Sequence, residues 1–254
     1  TGVRPVIEFM TWNFAILAFD QIFNSAAKLR SMSGGQFKIP VTFRGPSGAA
    51  LQLGAQHSQA LEAAYAHYPG LKVVVPGTPA DAKGLLKAAI RDDDPVAVFE
   101  GEMLYNLKGE VPEDDDFLIP LGVAEVKRAG SDVSIITHGK MIHVALQAAA
   151  QLEKDGVQAE VLDLRSLRPL DVDAILATVA KTNRVVLLEE GWPYAGITAT
   201  VAAIIQEEAF DHLDAPILRV TQADVPMPYA KAMEKAAKPS AELVVEKVNK
   251  VLYR

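Results

Sequence analysis

The sequence predicts an α/β fold made of two parallel-sheet domains, and three observations carry that prediction. Short runs rich in Val, Ile and Leu alternate with amphipathic stretches along the whole chain. The runs are apolar almost throughout rather than at every second residue, as in strands buried between two layers of helix. The 254 residues, half of them hydrophobic and 22% charged, have a globular composition and leave room for two domains of ordinary size.

Val6-Ile7-Glu8-Phe9 reads as a buried strand that needs neighbours on both sides. A helix follows from about Asn13 to Met32, on Phe14, Leu17, Ile22, Phe23 and Ala26, and stops at Ser33-Gly34-Gly35. Ile39 to Phe43 is the next strand, followed by a Gly/Ser loop, a helix from about Ser58 to His67 and a strand over Leu71 to Val75. Thr78-Pro79-Ala80-Asp81 offers a hydroxyl cap with Pro in the first turn, so it starts a helix that runs to Arg91. Pro95 to Phe99 is a strand. Glu102 to Asp116 breaks the pattern as a linker, which divides the chain into residues 1–116 and 117–254. Beyond it, strands are expected over Val123 to Lys127, Val133 to Thr137, Ala159 to Leu164, Arg184 to Leu188 and Ile217 to Val220. Helices are expected over Ile142 to Lys154, Asp171 to Thr182, Ile197 to Phe210 and Ala241 to Leu252.

Several function classes drop out. The net charge of −7, with no basic cluster, opposes a nucleic-acid partner. With no Cys there are no disulfides, thiolate nucleophiles or Cys-held metals, which fits a reducing compartment. No apolar run approaches the ~18 residues that read as a membrane span. The chain has no Gly-x-Gly-x-x-Gly after a strand, no P-loop, no Gly-x-Ser-x-Gly and no His-Glu-x-x-His. The run Glu113-Asp114-Asp115-Asp116 reads as a solvated loop.

Three stretches carry candidate chemistry. In the first, a strand ends in Arg44-Gly45-Pro46-Ser47-Gly48 and a loop then delivers Gln56-His57-Ser58-Gln59 to a helix start. Ligands of open α/β sheets bind at the carboxyl ends of strands, so His57 is placed for proton transfer; the plain alternative is a loop histidine tied to a backbone carbonyl. The other four histidines lack such a setting and read as structural or exposed. In the second, "FMTWNFA" sets Trp12 and Phe14 at another strand-to-helix junction, where an aromatic either stacks on a flat ring or plugs the core. In the third, "AAIRDDDP" brings three carboxylates to a helix C-terminus, a setting for a hard cation or an ordinary acidic turn.

Taken together, "RPVIEFMTWNFA", "FDQIFNSAAKLRSMSGG", "FRGPSG", "AQHSQ", "GLKVVVPGTPADAKGLLKAAIRDDDPVAVFE", "DLRSLRPLD" and "DVPMPYAK" resemble one family. It is the β subunit of the thiamine-diphosphate-dependent, decarboxylating component of 2-oxo-acid dehydrogenase complexes. "EFMTWNF" and "RGPSG" look more like the pyruvate enzyme than the branched-chain one.

The resemblance implies a transketolase-like pyrimidine-binding domain, then a transketolase C-terminal domain. It implies an α₂β₂ heterotetramer in which thiamine diphosphate lies between the subunits, with Mg²⁺ held by the α subunit through a Gly-Asp-Gly motif. No Gly-Asp-Gly occurs here. By position, Phe14 matches the aromatic that packs on the aminopyrimidine ring and His57 the active-site histidine. Val41, Ala89, Ile90, Asp92 and Asp94 match a structural potassium site, mostly through backbone carbonyls; Asp94 stands where some relatives have Asn. Asp214 and the Arg254 end are implied contacts for the dihydrolipoyl acyltransferase core. The implied activity is oxidative decarboxylation of pyruvate with acylation of a lipoyl arm, and no membrane partner. The alternatives are a branched-chain 2-oxo-acid or acetoin enzyme, or a non-catalytic scaffold docked on the core. The compartment follows the source: cytoplasm in a bacterium, mitochondrial matrix or plastid otherwise. The family's activating glutamate lies upstream of "RPVIEF", so a segment before Thr1 is expected to be missing.

Overall fold

Ten strands among the described residues sort into two five-stranded sheets. The structure, a computed structural model, describes residues 2–254. The first half runs β1 (Val6–Glu8), α1 (Trp12–Ala15), α2 (Ala27–Met32), β2 (Thr42–Ser47), α3 (Glu62–Ala66), β3 (Lys72–Val74), α4 (Pro79–Arg91) and β4 (Val96–Gly101). The second half opens with β5 (Glu125–Arg128), β6 (Val133–Thr137), α5 (Met141–Lys154), β7 (Ala159–Asp163) and β8 (Ser166–Arg168). It continues with α6 (Val172–Thr182), β9 (Val185–Leu188), α7 (Ile197–Glu208), β10 (Leu218–Val220), α8 (Lys231–Ala237) and α9 (Ala241–Val251).

The first sheet has the order β1-β2-β4-β3-β8 and the second β10-β9-β6-β7-β5. Both are parallel, as expected, except at one edge: β8 runs antiparallel to β3, and β5 antiparallel to β7. The exception in the first sheet comes from the second half of the chain. After β7 the backbone turns at Arg165, whose carbonyl accepts from Val75 N–H at 2.7 Å, and β8 covers the open edge of β3. The two halves are therefore interwoven.

The regular helices agree with their patterns. Thr78 Oγ1 accepts from Asp81 N–H at 3.1 Å with Pro79 in the first turn, as the cap sequence predicts. α4 packs Leu85 and Ala89 on β3 and β4, with Ile119 from the connection between the halves closing that cluster. α5 and α9 bury Ala145, Leu152, Val244 and Val248 against the second sheet.

Three expectations are modified for physical reasons. β1 is not buried: it lies at a sheet edge, pairs only with β2 and leaves Val6 and Ile7 exposed. The helix over residues 13–32 runs to Met32 as expected, but its hydrogen bonding changes along the way, from α1 through a 3₁₀ turn over Ile16–Ala18 and a π turn over Gln21–Ala26 to α2. Aromatic packing overrides the helical period there, because Phe23 stacks on Tyr68 at 3.7 Å between ring centroids while Phe19 meets Phe23 edge-on. β2 starts later than expected, because Pro40 has no N–H to donate and Val41 N–H turns back to Ile39. It continues through Pro46, which lies past the last β1 pairing and interrupts no ladder on that side.

Candidate functional site

The carboxyl ends of the two sheets face each other, and the loops that leave them form one seam. From the first sheet come the β1–α1 junction and the long loop after β2; from the second come residues 138–140 after β6 and 189–196 after β9. Short apolar strands followed by Gly, Ser and charged residues make this local pattern, since the polar residues begin where the strand leaves the core.

At the β1–α1 junction the two candidate aromatics have opposite fates. Trp12 is 0% exposed, stacks on Phe99 at 4.1 Å and donates Nε1–H to the Val98 carbonyl at 3.1 Å, so it is core. Phe14, two residues on, is 44% exposed. Thr11 caps α1 by accepting from Asn13 N–H at 3.0 Å, which turns Phe14 outward. The imidazole of His57, in a 3₁₀ turn over Ala55–His57, meets the Phe14 ring edge-on with 5.0 Å between centroids. The two residues singled out from separate stretches are therefore one pair, with an exposed aromatic face beside a titratable ring.

The loop that carries His57 is held from several sides. Gly48 N–H donates to the Gln59 carbonyl at 3.0 Å and closes its base, and Gln59 N–H donates to the buried Asn13 Oδ1 at 3.0 Å. From the second half, Glu190 Oε1 accepts from Ala49 N–H at 2.7 Å and pairs with Lys140 Nζ at 2.7 Å. Lys140 in turn donates to the Ala49 carbonyl. Glu234 of α8 accepts from Gln52 N–H at 2.6 Å and pairs with Lys238 at 2.6 Å. Sequence reading missed these acids; the one available signal was Glu189-Glu190 directly following an apolar strand.

Titratable groups crowd the rest of the seam. His138, read from sequence as structural or exposed, is buried and lies 3.3 Å from Glu62 of α3. Burial alone would lower its pKa, but Glu62, Glu189 and Asp163 outweigh it and hold it above the ordinary value. Glu189 is pushed up by burial even though it accepts from the N–H groups of Ile197 and Thr198, capping α7 where Gly196 offers no side chain. Burial, helped by Asp81, pushes Asp163 up to about 7. Burial also raises Glu190, with Lys140 pulling the other way.

The candidate cation residues lie at the opposite, amino end of the first sheet. Val41 precedes β2, and Ala89, Ile90, Asp92 and Asp94 end α4 before β4. Their carboxylates are engaged by the chain's own cations: Asp92 with Lys72 at 2.7 Å, Asp94 with Arg30 and with Lys72 at 3.2 Å. Asp93 pairs with Arg4 at 2.6 Å and Lys38 at 2.7 Å, and these partners, Lys38 first, hold it down at about 2. Arg4 Nη1 also donates to the carbonyls of Asp92 at 2.7 Å and Ile90 at 3.4 Å. Among the described residues no group of three His, Asp or Glu side chains is arranged to hold a metal.

Asp214 and Arg254 both lie at the far end of the second half. The Asp214 carboxylate is 3.4 Å from Arg184, its carbonyl accepts from Tyr253 Oη at 3.2 Å, and Arg254 reaches the Asp155 carbonyl at 3.4 Å. An open groove beside them is lined by Phe210, Leu213, Pro216, Ile217 and Tyr253. Among the described residues no helix is long and apolar enough to cross a membrane.

Comparison with known proteins places this geometry. The family model "Transketolase, pyrimidine binding domain" matches residues 1–108, and "Transketolase, C-terminal domain" matches residues 122–244. The chain is 52% identical over 254 residues to the pyruvate dehydrogenase E1 component subunit beta of Rhizobium meliloti, covering all of this chain and 55% of that protein. It thus spans about half the length of that relative. To the subunit of the same description in Rickettsia felis it is 53% identical, over 99% of this chain and 77% of the relative. For the mitochondrial one of Caenorhabditis elegans the figures are 53%, 99% and 72%. A solved structure described as "Split gene transketolase, inactive beta4 tetramer" superposes with a TM-score of 0.79 at 28% identity, covering 99% of this chain and 77% of that one.

Proposed function

The chain belongs to the family of pyruvate dehydrogenase E1 component β subunits, and on that premise we propose that, joined to an α subunit, it oxidatively decarboxylates pyruvate and acylates the lipoyl group of an acyltransferase core. The observation that carries the reading is the Phe14–His57 pair, an exposed aromatic face with an imidazole on its flank at the carboxyl end of a parallel sheet.

Thiamine diphosphate, when bound, supplies the electron sink that a 2-oxo acid needs in order to lose CO₂. The residues here fit one end of it. The half-exposed ring of Phe14 is free on one side to take a flat pyrimidine, while Trp12, locked on Phe99, is not. No Gly-Asp-Gly is present for the diphosphate and its Mg²⁺, so the α subunit is assigned that end. His57 sits where it can orient the substrate or hand a proton to the acyl acceptor. At the amino end of the sheet, a potassium ion would take the Ile90 and Asp92 carbonyls that now face Arg4 Nη1. The Asp214–Arg254 end is assigned to the acyltransferase core in an α₂β₂ assembly. The expected compartment is the cytoplasm for a bacterial source, and the mitochondrial matrix or plastid otherwise.

The test is thiamine-diphosphate-dependent decarboxylation by the co-expressed α and β chains, offered pyruvate and a branched-chain 2-oxo acid. Pyruvate turnover that needs the α chain is expected. Turnover of the branched-chain acid alone, or full activity without the α chain, overturns the reading.

A further inference from the structure

We propose that the largely buried Glu190–Lys140 pair is a positioning element for His57: it grips both backbone groups of Ala49 and so fixes the loop on which His57 is carried. As an account of catalysis this rests on the pyruvate reading above; as an account of loop order it stands alone.

The argument starts from cost. Two charges removed from water at the seam are expensive unless their remaining valences are satisfied. An ion pair serving only to join two domains would be expected to bond side chain to side chain across them. Here both charges come from the second half, on the residues after β6 and β9, and their other partners are loop backbone: Ala49 N–H to Glu190 Oε1 at 2.7 Å, and Lys140 Nζ to the Ala49 carbonyl. The backbone is built to receive them. Gly48 has φ of +80°, and a Cβ there would run into the Glu190 carboxylate. Glu234 repeats the device on a smaller scale at Gln52 N–H.

From Ala49 the hold passes to the site along short links. Gly48 N–H closes the loop on Gln59, Gln59 N–H is fixed on Asn13, and Asn13 adjoins Phe14. His57 lies between these anchors, in the 3₁₀ turn that ends the loop. Without the grip, the loop keeps the Gly48–Gln59 closure and the Gln52 tether but loses the fixed point between them, so the base from which the His57 run departs is no longer held to the second half at Ala49.

The experiment combines hydrogen exchange and steady-state kinetics on the α–β complex carrying Glu190→Gln or the double change Glu190→Leu/Lys140→Met. The double change removes the pair without stranding a charge, so the fold is kept. Amides of residues 48–58 are expected to exchange about tenfold faster while β6 and α5 keep their protection. The kcat for lipoyl acylation is expected to fall about tenfold with the KM for cofactor unchanged. Glu190→Gln keeps an acceptor for Ala49 N–H and gives a smaller effect in both readouts; it also decides the matter if the double variant does not fold. Loop exchange equal to wild type, or faster exchange with unchanged kcat, overturns the proposal. A wild-type complex inactive on pyruvate defeats the functional reading instead, and leaves the exchange result to judge the grip.

Discussion

The two ends of the first sheet use charge in opposite ways. At the amino end, Asp92, Asp93 and Asp94 sit near solvent, and each is met by Arg or Lys from the chain itself. At the carboxyl end, Glu62, Glu189, Glu190 and Asp163 are buried in the seam and draw on backbone N–H groups, one His and few cations. Pairing dominates at the first end, so Asp93 is held down; desolvation dominates at the second, so Asp163 and Glu189 are pushed up. The lesson concerns function. Acids near solvent are satisfied by any cation that reaches them, whereas buried acids must be held, and in holding them the second half holds the loops that present Phe14 and His57.

The sharpest way to break this contrast is at the seam's reactive tip. His57→Ala in the α–β complex is expected to lower lipoyl acylation by on the order of a hundredfold or more, with thiamine diphosphate still bound. Cofactor retention by equilibrium dialysis beside turnover checks it, and unchanged turnover removes His57 from the mechanism. Gly48→Ala comes next. It puts a side chain at positive φ against Glu190, and a loss of about 1–3 kcal/mol by urea unfolding is expected, together with reduced turnover. Phe14→Ala is milder. Its ring is half exposed and buries little, so stability should hardly move while cofactor affinity falls about tenfold. The same change at Trp12 should do the reverse, destabilising the fold by about 3–5 kcal/mol, because that ring is wholly buried on Phe99.

The same contrast explains what could be read from the sequence. Local signals survived: the Thr78-Pro79 cap, the strand over Val133–Thr137 and the placing of Phe14 at a strand-to-helix junction all depend on neighbours in the chain, whereas the helix expected from Ser58 begins only at Glu62 and leaves His57 in a 3₁₀ turn. Signals that depend on distant partners did not. The helix over residues 13–32 shifts to 3₁₀ and π hydrogen bonding where Phe19 and Phe23 answer to Tyr65 and Tyr68, more than forty residues away. β8 is three residues long and becomes a strand only because β3 offers an edge. The residues alone leave Trp12 and Phe14 open to either role; the resemblance points to Phe14, and the stacking on Phe99 gives the physical reason that Trp12 is core. Glu190 met Ala49 across 141 positions, and nothing in a Glu-Glu-Gly-Trp stretch announces such a partner.

The smallest expected effect compares one carboxylate from each end by pH. Asp93 has a folded pKa near 2, below its ordinary 3.8, so it binds fewer protons folded than unfolded. Its contribution is present above about pH 4 and lost as pH falls towards 2, and it is small because the group is exposed and screened. Asp163 has the opposite sign. Its folded pKa of about 7 exceeds the ordinary 3.8, so the folded state binds more protons between those limits. Its stabilising share is complete below about pH 4 and disappears as pH rises through 7, with a slope of at most about 1.4 kcal/mol per pH unit. Asp163→Asn should therefore flatten the fall in stability between about pH 4 and pH 7, and Asp93→Asn should leave that range untouched. Urea midpoints across the range check both. A parallel pH course for wild type and Asp163→Asn would mean that Lys127, 3.9 Å away, the Arg165 backbone N–H and His138 together outweigh the burial of Asp163, and the contrast between the two ends would shrink to one of exposure alone.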